Sequence, residues 1–295
     1  YIKDRAFAFE QQLNENTSGL LNHQLKDYVQ DEENARIPLI IFNSTNSADG
    51  RKMMISTQPI SFMMRNWPDS SSGVLGEPDG VDFCSFFKKQ EPYNLRMLSA
   101  MRINATFPYV LPNVWLPSRP VVDVMDAGIR DNYGQETMVR FLQVFNGWLS
   151  ENTSGVVLIQ IRDRKLGDWE DHKNETGLTG LFTKPLTVIQ LNWMKLQDYY
   201  HEELVSIGNE RFTFPFEKIN FAYVPSKKNK AAALNFHLTA KEKNDIREDL
   251  LSPSNKSGFA RIGERYRRRS LPPSPLQLTD IPETGKPVKV SEPAE

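Results

Sequence analysis

Two stretches of this sequence combine residue types and spacings that could do chemistry. The first is Pro120–Gly134, which reads Pro-Val-Val-Asp-Val-Met-Asp-Ala-Gly-Ile-Arg-Asp-Asn-Tyr-Gly. Val121, Val122, Val124 and Met125 form a short apolar run that suits a buried strand, and the run stops at Asp126-Ala127-Gly128. An acid followed by two small residues at the carboxyl end of a strand sits where open α/β sheets place ligands and chemistry. Gly128 permits backbone angles or a close approach that a larger residue would resist. The other reading of Asp126 is a turn residue or helix cap, which Asp-Ala-Gly alone favours; the order of the segments on either side points to chemistry instead. The second stretch is the basic run Arg261, Arg265, Arg267, Arg268 and Arg269. It could touch phosphates of lipid headgroups or nucleic acid, or be a solvated basic segment at the start of a tail. Tyr266 is its one interleaved aromatic residue, so stacking on single-stranded nucleic acid has little support.

Other chemistries lack their residues. The four histidines, His23, His172, His201 and His237, show no metal-ligand spacing. His23 and His201 read as surface residues of helices, and His237 as a packing or capping residue. No Gly-X-Ser-X-Gly elbow, Walker loop or Gly-X-Gly-X-X-Gly occurs. The single cysteine, Cys84, excludes an internal disulfide and a cysteine-based zinc cluster, and is compatible with a reducing compartment. A formal net charge of -1 gives no bulk field toward nucleic acid or an anionic membrane. No apolar run of about 18 residues is present to span a bilayer. Six Asn-X-Ser/Thr sequons, at Asn16, Asn43, Asn104, Asn152, Asn174 and Asn255, read as chance matches, because Asn43 and Asn104 fall where buried structure is expected.

The elements that must position these residues follow from periodicity. At 295 residues, 39% hydrophobic and 25% charged, the chain can build one large α/β domain. Helices are expected over 2–13 and 20–34, a central strand over Ile37–Phe42, a hairpin turn at Asp49-Gly50 and a returning strand over Lys52–Thr57. Residues 61–91 read as an irregular excursion in which Asp79 and Asp82 are turn and solvent residues. A helix over Leu95–Ile103 leads into a proline-bearing loop and then the strand that ends at Asp126. Beyond Gly134 a helix to about Leu149, a strand over Val156–Ile161 and a polar, solvated excursion over 162–180 are expected. A long helix from Leu186 to about Val205 turns Leu186, Ile189, Trp193, Leu196, Tyr200 and Leu204 to the core. A strand over 216–224 and a helix over 240–251, capped by Thr239, complete the series. Strands alternating with helices predict an α/β fold with a mixed, partly parallel sheet and helices on both faces. Residues 252–295, basic and then rich in Pro and Ser, are expected to form a disordered tail.

The order of these segments resembles the later part of the patatin-like phospholipase family. The resemblance lies in Arg36-Ile37-Pro38-Leu39-Ile40-Ile41-Phe42-Asn43-Ser44-Thr45 with Asp49-Gly50-Arg51, in Leu98-Ser99-Ala100-Met101-Arg102-Ile103-Asn104-Ala105-Thr106-Phe107-Pro108, and in Val124-Met125-Asp126-Ala127-Gly128. It covers roughly residues 1–251, and Ala127 stands where the family usually carries glycine. The resemblance implies a three-layer patatin-like fold whose N-terminal part, with the nucleophile elbow and oxyanion loop, lies upstream of Tyr1. It implies a lipid acyl hydrolase using a Ser–Asp dyad, with Asp126 as the base and with no metal or organic cofactor. This fragment would be inactive by itself. The implied partner is a lipid or ester substrate, and no nucleic acid is expected; a membrane surface is added by the basic run, where Arg265, Arg267, Arg268 and Arg269 are the candidate lipid-phosphate contacts. The implied setting is cytoplasmic or membrane-associated. The alternative is a catalytically inactive relative or fragment that serves as a membrane-associated binding scaffold.

Overall fold

A computed structural model describes residues 4–65, 76–106, 111–167, 178–226, 232 and 238–270; of 178–191 and 268–270 the backbone alone is described. The helices are α1 (Arg5–Asn16), α2 (Val29–Glu33), α3 (Phe83–Phe86), α4 (Met97–Asn104), α5 (Gln135–Val144), α6 (Asn146–Asn152), α7 (Leu178–Arg211), α8 (Ala240–Asp249) and α9 (Pro253–Ser270). The strands are β1 (Ile41–Asn46), β2 (Lys52–Ser56), β3 (Gly80–Asp82), β4 (Val114–Leu116), β5 (Val122–Met125), β6 (Val156–Arg162) and β7 (Phe216–Ala222).

The expected α/β fold with a mixed sheet is present. Five strands run in the order β3-β2-β1-β5-β4, with β2 and β3 parallel and the other neighbours antiparallel. Asp49-Gly50 makes the hairpin between β1 and β2: Gly50 takes φ +72°, and Asp49 accepts a hydrogen bond from the Arg51 N–H. One face of this sheet is apolar. Phe42, Met53, Ile55 and Val124 pack there with Phe83 and Cys84 of α3 and Met97, Ala100 and Ile103 of α4. Burial pushes the Cys84 thiol up to about 11, so it packs as a small hydrophobe. The opposite face, toward α5, carries Asn43, Thr45, Lys52 and Met54 in register. A second, two-stranded sheet pairs β6 and β7 in parallel over seven residues.

Several expectations are corrected. The first strand runs over 41–46 and not over 37–42, so its last four residues are Asn43-Ser44-Thr45-Asn46, all buried. Two of these side chains bond inside: the Asn43 amide donates to Thr137 Oγ1 (3.0 Å) and Ser44 Oγ to the Met53 carbonyl (3.1 Å). The excursion over 61–91 contains β3 and α3. Asp79 is ion-paired with Arg130 and Arg140, and Asp82 is buried, accepting from the Cys84 and Ser85 N–H groups that open α3. Neither is a solvent residue. On α7, Trp193, Leu196 and Tyr200 are more than half exposed, and Gln197, Asp198 and His201 are buried instead. His201 is therefore not a surface residue. Arg162 closes β6 and is buried against Asp198, not solvated. The boundary at residue 251 falls before a helix: α9 lies on β7, with Gly258 against the Phe221 ring and the Phe259 ring tilted at 47° to it, centroids 4.7 Å apart. Thr239 caps α8 in a reciprocal box with Glu242, as expected. Asn43 and Asn255 are buried, which removes both sequons as glycan acceptors. His172, His237, residues 271–295 and most of the proline loop lie outside the described residues.

Candidate active-site loop

The expected strand ends at Met125, and Asp126 opens a single 3₁₀ turn over Ala127–Ile129. The Asp126 N–H donates to the Thr106 carbonyl at 3.1 Å, which fastens the strand's end to the segment leaving α4. Ala127 O accepts from the Arg130 and Asp131 N–H groups at 2.9 and 2.8 Å. The chain then enters α5 through Gly134, whose φ of +70° suits glycine.

Asp126 stands at an N-cap position and makes no side-chain cap hydrogen bond. This sets it apart from other aspartates of the chain. Asp4 accepts from Phe7 N at 3.0 Å, Asp82 from Cys84 N at 3.0 Å, and Asp131 from Glu136 N and Thr137 N at 3.1 and 2.9 Å. Those three are structural caps. The Asp126 carboxyl is largely buried, and burial raises its pKa to about 6; the Gly128 N–H, aimed at it without closing a well-aligned bond, opposes the shift only in part. Gly128 lies close against this carboxyl. A Cβ there would meet the two Asp126 carboxylate oxygens at 3.3 and 3.5 Å and Asn132 Oδ1 at 3.4 Å. Asp126, Ala127 and Gly128 thus sit together at the strand's end, as the sequence predicts, with Asn132 Oδ1 on the same side of the glycine as the carboxylate.

The loop is gripped from two sides by residues that pattern reading missed. Arg130 donates to the Gly50 carbonyl (3.2 Å), to Asp79 (2.8 Å) and to both oxygens of Glu136 (3.1 and 3.2 Å). Arg140 takes Asp79 at 2.6 Å, and the buried Lys52 ammonium lies 3.1 Å from Glu136. Burial alone would raise Asp79 and Glu136; the hydrogen bonds and charges of Arg140, Arg130 and Lys52 outweigh it and hold both below the ordinary carboxylate range. From the other side α7 reads the loop with three residues spaced four apart. Trp193 Nε1 donates to Ile129 O (2.6 Å), Gln197 bonds the backbone of Gly128, Ile129 and Asn132, and His201 Nδ1 lies 3.7 Å from Asp131. Burial lowers the His201 pKa against the pull of Asp131, which keeps the imidazole neutral at pH 7. Beyond the loop, Tyr133 donates to Asp163, and the Arg162 guanidinium lies 4.1 Å over its ring. The signal that could have found this clamp is the polar stripe Gln197–His201 on a helix with apolar neighbours.

The basic run does not join this site. Arg261 and Arg265 both pair with Glu217 of β7, at 2.6 and 2.7 Å. Arg267 donates to the Gly263 carbonyl one turn earlier, and the side chains of Arg268 and Arg269 lie outside the described residues. Among the described residues there is no cluster of three His, Cys, Asp or Glu side chains that could hold a metal, and no helix long and apolar enough to cross a membrane. No family model, curated protein or solved structure matches this chain.

Proposed function

We propose that this chain is the later part of a lipid acyl hydrolase in which Asp126 is the base of a Ser–Asp dyad, the serine being carried upstream of Tyr1. One observation carries the reading: a largely buried carboxyl at a strand's end, raised to about 6, whose oxygens are not engaged by any well-aligned cap. A general base needs a pKa near the working pH and a free lone pair, whereas Asp4, Asp82 and Asp131 accept from the backbone N–H groups of helix starts. Asp126 would take the proton of the attacking serine hydroxyl and return it to the leaving alcohol, through an acyl-enzyme. The substrate is an ester of a fatty acid, and the residues of this chain supply a base and the scaffold that orients it.

The test is ester hydrolysis by the longer polypeptide that includes the serine. Asp126→Asn should abolish turnover while leaving the far-ultraviolet circular dichroism unchanged. Ser61→Ala serves as a control. Ser61 also touches a carboxylate, Asp82, at 2.6 Å, but Asp82 is spent on the start of α3, so this variant should keep full activity. Turnover retained in Asp126→Asn would remove Asp126 from the mechanism. The alternative of a membrane-associated scaffold rests on the missing nucleophile and on the basic run, of which Arg261 and Arg265 pair with Glu217 while remaining exposed.

A further inference from the structure

The open question about Asp126 is why it does not cap. An aspartate at an N-cap accepts from the second or third N–H of the turn it opens, and here those donors belong to Gly128 and Ile129. Each peptide unit is planar and trans, so the direction of a carbonyl fixes the direction of the next residue's N–H. Gly128 C=O and Ile129 N–H share one such unit, and Ile129 C=O shares the next with the Arg130 N–H, which bonds Ala127 O at 2.9 Å. Gln197 Nε2 donates to that carbonyl at 3.4 Å and to the Ile129 carbonyl at 2.8 Å, and its Oε1 accepts from the Asn132 N–H at 3.0 Å. Trp193 adds a second donor to Ile129 O at 2.6 Å. Gln197 is buried, so water does not compete for these bonds. An amide is the side chain that can serve both roles here, since it donates and accepts at once.

From this geometry we infer that Gln197 is a positioning residue: by bonding the Gly128 and Ile129 carbonyls and the Asn132 N–H, it holds the 3₁₀ turn in the conformation that leaves Asp126 without a side-chain cap, and so keeps that carboxylate available. The purpose of the device rests on the reading of Asp126 as a base, but its operation does not. The charged groups around the loop are otherwise engaged. Arg130 is turned to Asp79 and Glu136, Asp131 to the start of α5 and His201, and Arg162 to Asp198. Asp126 is shifted by burial and by Gly128 alone. With Gln197 removed, the turn relaxes onto the carboxylate as an ordinary cap. A hydrogen bond to the charged form lowers a carboxyl pKa.

The experiment is a ¹³C carboxyl titration of aspartate-labelled protein, with the Asp126 signal assigned by its loss in Asp126→Asn. In Gln197→Met, close in length and without donors, Asp126 should titrate about one unit lower than in the native protein. Trp193→Phe, which removes one of the two donors to Ile129 O and is the milder change if Gln197→Met fails to fold, should move it the same way by less. Tyr133→Phe loosens the same loop through Asp163 without touching those carbonyls, and should leave Asp126 where it is. An unmoved Asp126 in a folded Gln197→Met protein overturns the inference, as does a shift of equal size in Tyr133→Phe, which would make it general loosening. Because the titration is read without turnover, the two readings fail separately. A shifted Asp126 in a longer polypeptide that hydrolyses no ester removes the hydrolase and keeps the role of Gln197; an active enzyme with an unmoved Asp126 does the reverse.

Discussion

At the scale of single residues the informative contrast is among aspartates. Asp4, Asp82 and Asp131 spend their oxygens on helix starts, and Asp126 does not. Its position was legible because an apolar run stops there. Its freedom was not, because that depends on Gln197, more than sixty residues away in sequence. An unspent, half-buried carboxylate costs stability, and the sign can be worked out. The folded pKa of about 6 lies above the ordinary 3.8, so the folded protein holds this proton to higher pH than the unfolded chain does. Stability from this group therefore falls as pH rises from about 4 through 6, and the full cost, at most about 3 kcal/mol, is present at pH 7. Asp126→Asn should raise the urea midpoint at pH 7.5, and the gain should shrink to near zero at pH 4. A variant no more stable than the native protein at pH 7.5 would contradict the burial of the charge. In the same way, hydrolysis by the longer polypeptide should be lost as pH falls through about 6, where the base takes up its proton.

At the scale of elements, pattern reading succeeded where burial is apolar and slipped where it is polar. β5, β6 and β7 were found to within a residue or two because their cores are valine, isoleucine and phenylalanine. β1 was displaced by four residues because Asn43, Ser44, Thr45 and Asn46 look like a loop and are buried. The face of α7 was misjudged for the same reason: the helix turns Gln197, Asp198 and His201 inward and leaves Trp193 and Tyr200 outside. The Arg162–Asp198 pair that ties β6 to α7 is almost fully buried, with side chains 1% and 3% exposed. Removing one partner strands a charge in the interior, so Asp198→Ala should cost about 3–5 kcal/mol. Replacing both by apolar residues, as in Arg162→Met with Asp198→Leu, should recover most of that loss. Urea unfolding of the two variants checks the expectation, and equal losses in both would mean that the pair contributes packing and not charge compensation.

At the scale of the whole molecule, the described chain is a five-stranded sheet between helices, α3 and α4 on one side and α5 on the other, joined through α7 and the Asp126 loop to a parallel strand pair. The last helix decides how much of the chain belongs to this body. Its composition is that of a tail, five arginines and few apolar side chains over its length, and that is why it went unread. What fixes it is tertiary. Gly258 allows the Phe221 ring to approach to 2.9 Å of where a Cβ would sit, Asn255 bonds the Ala222 backbone, and Arg261 and Arg265 converge on Glu217. Beneath it lie Ile219 and Phe221, both buried. Exposing each would cost about 1.5–3 kcal/mol, together a large fraction of the roughly 5–15 kcal/mol that holds a domain folded. A chain ended at Ser252 should therefore melt at least several degrees lower and bind a hydrophobic dye that the full chain does not. A removable tail would leave both measurements unchanged. Gly258→Val separates packing from mere length: it keeps every other residue and drives a branched side chain into the Phe221 ring, so it should move the melting temperature in the same direction as the truncation.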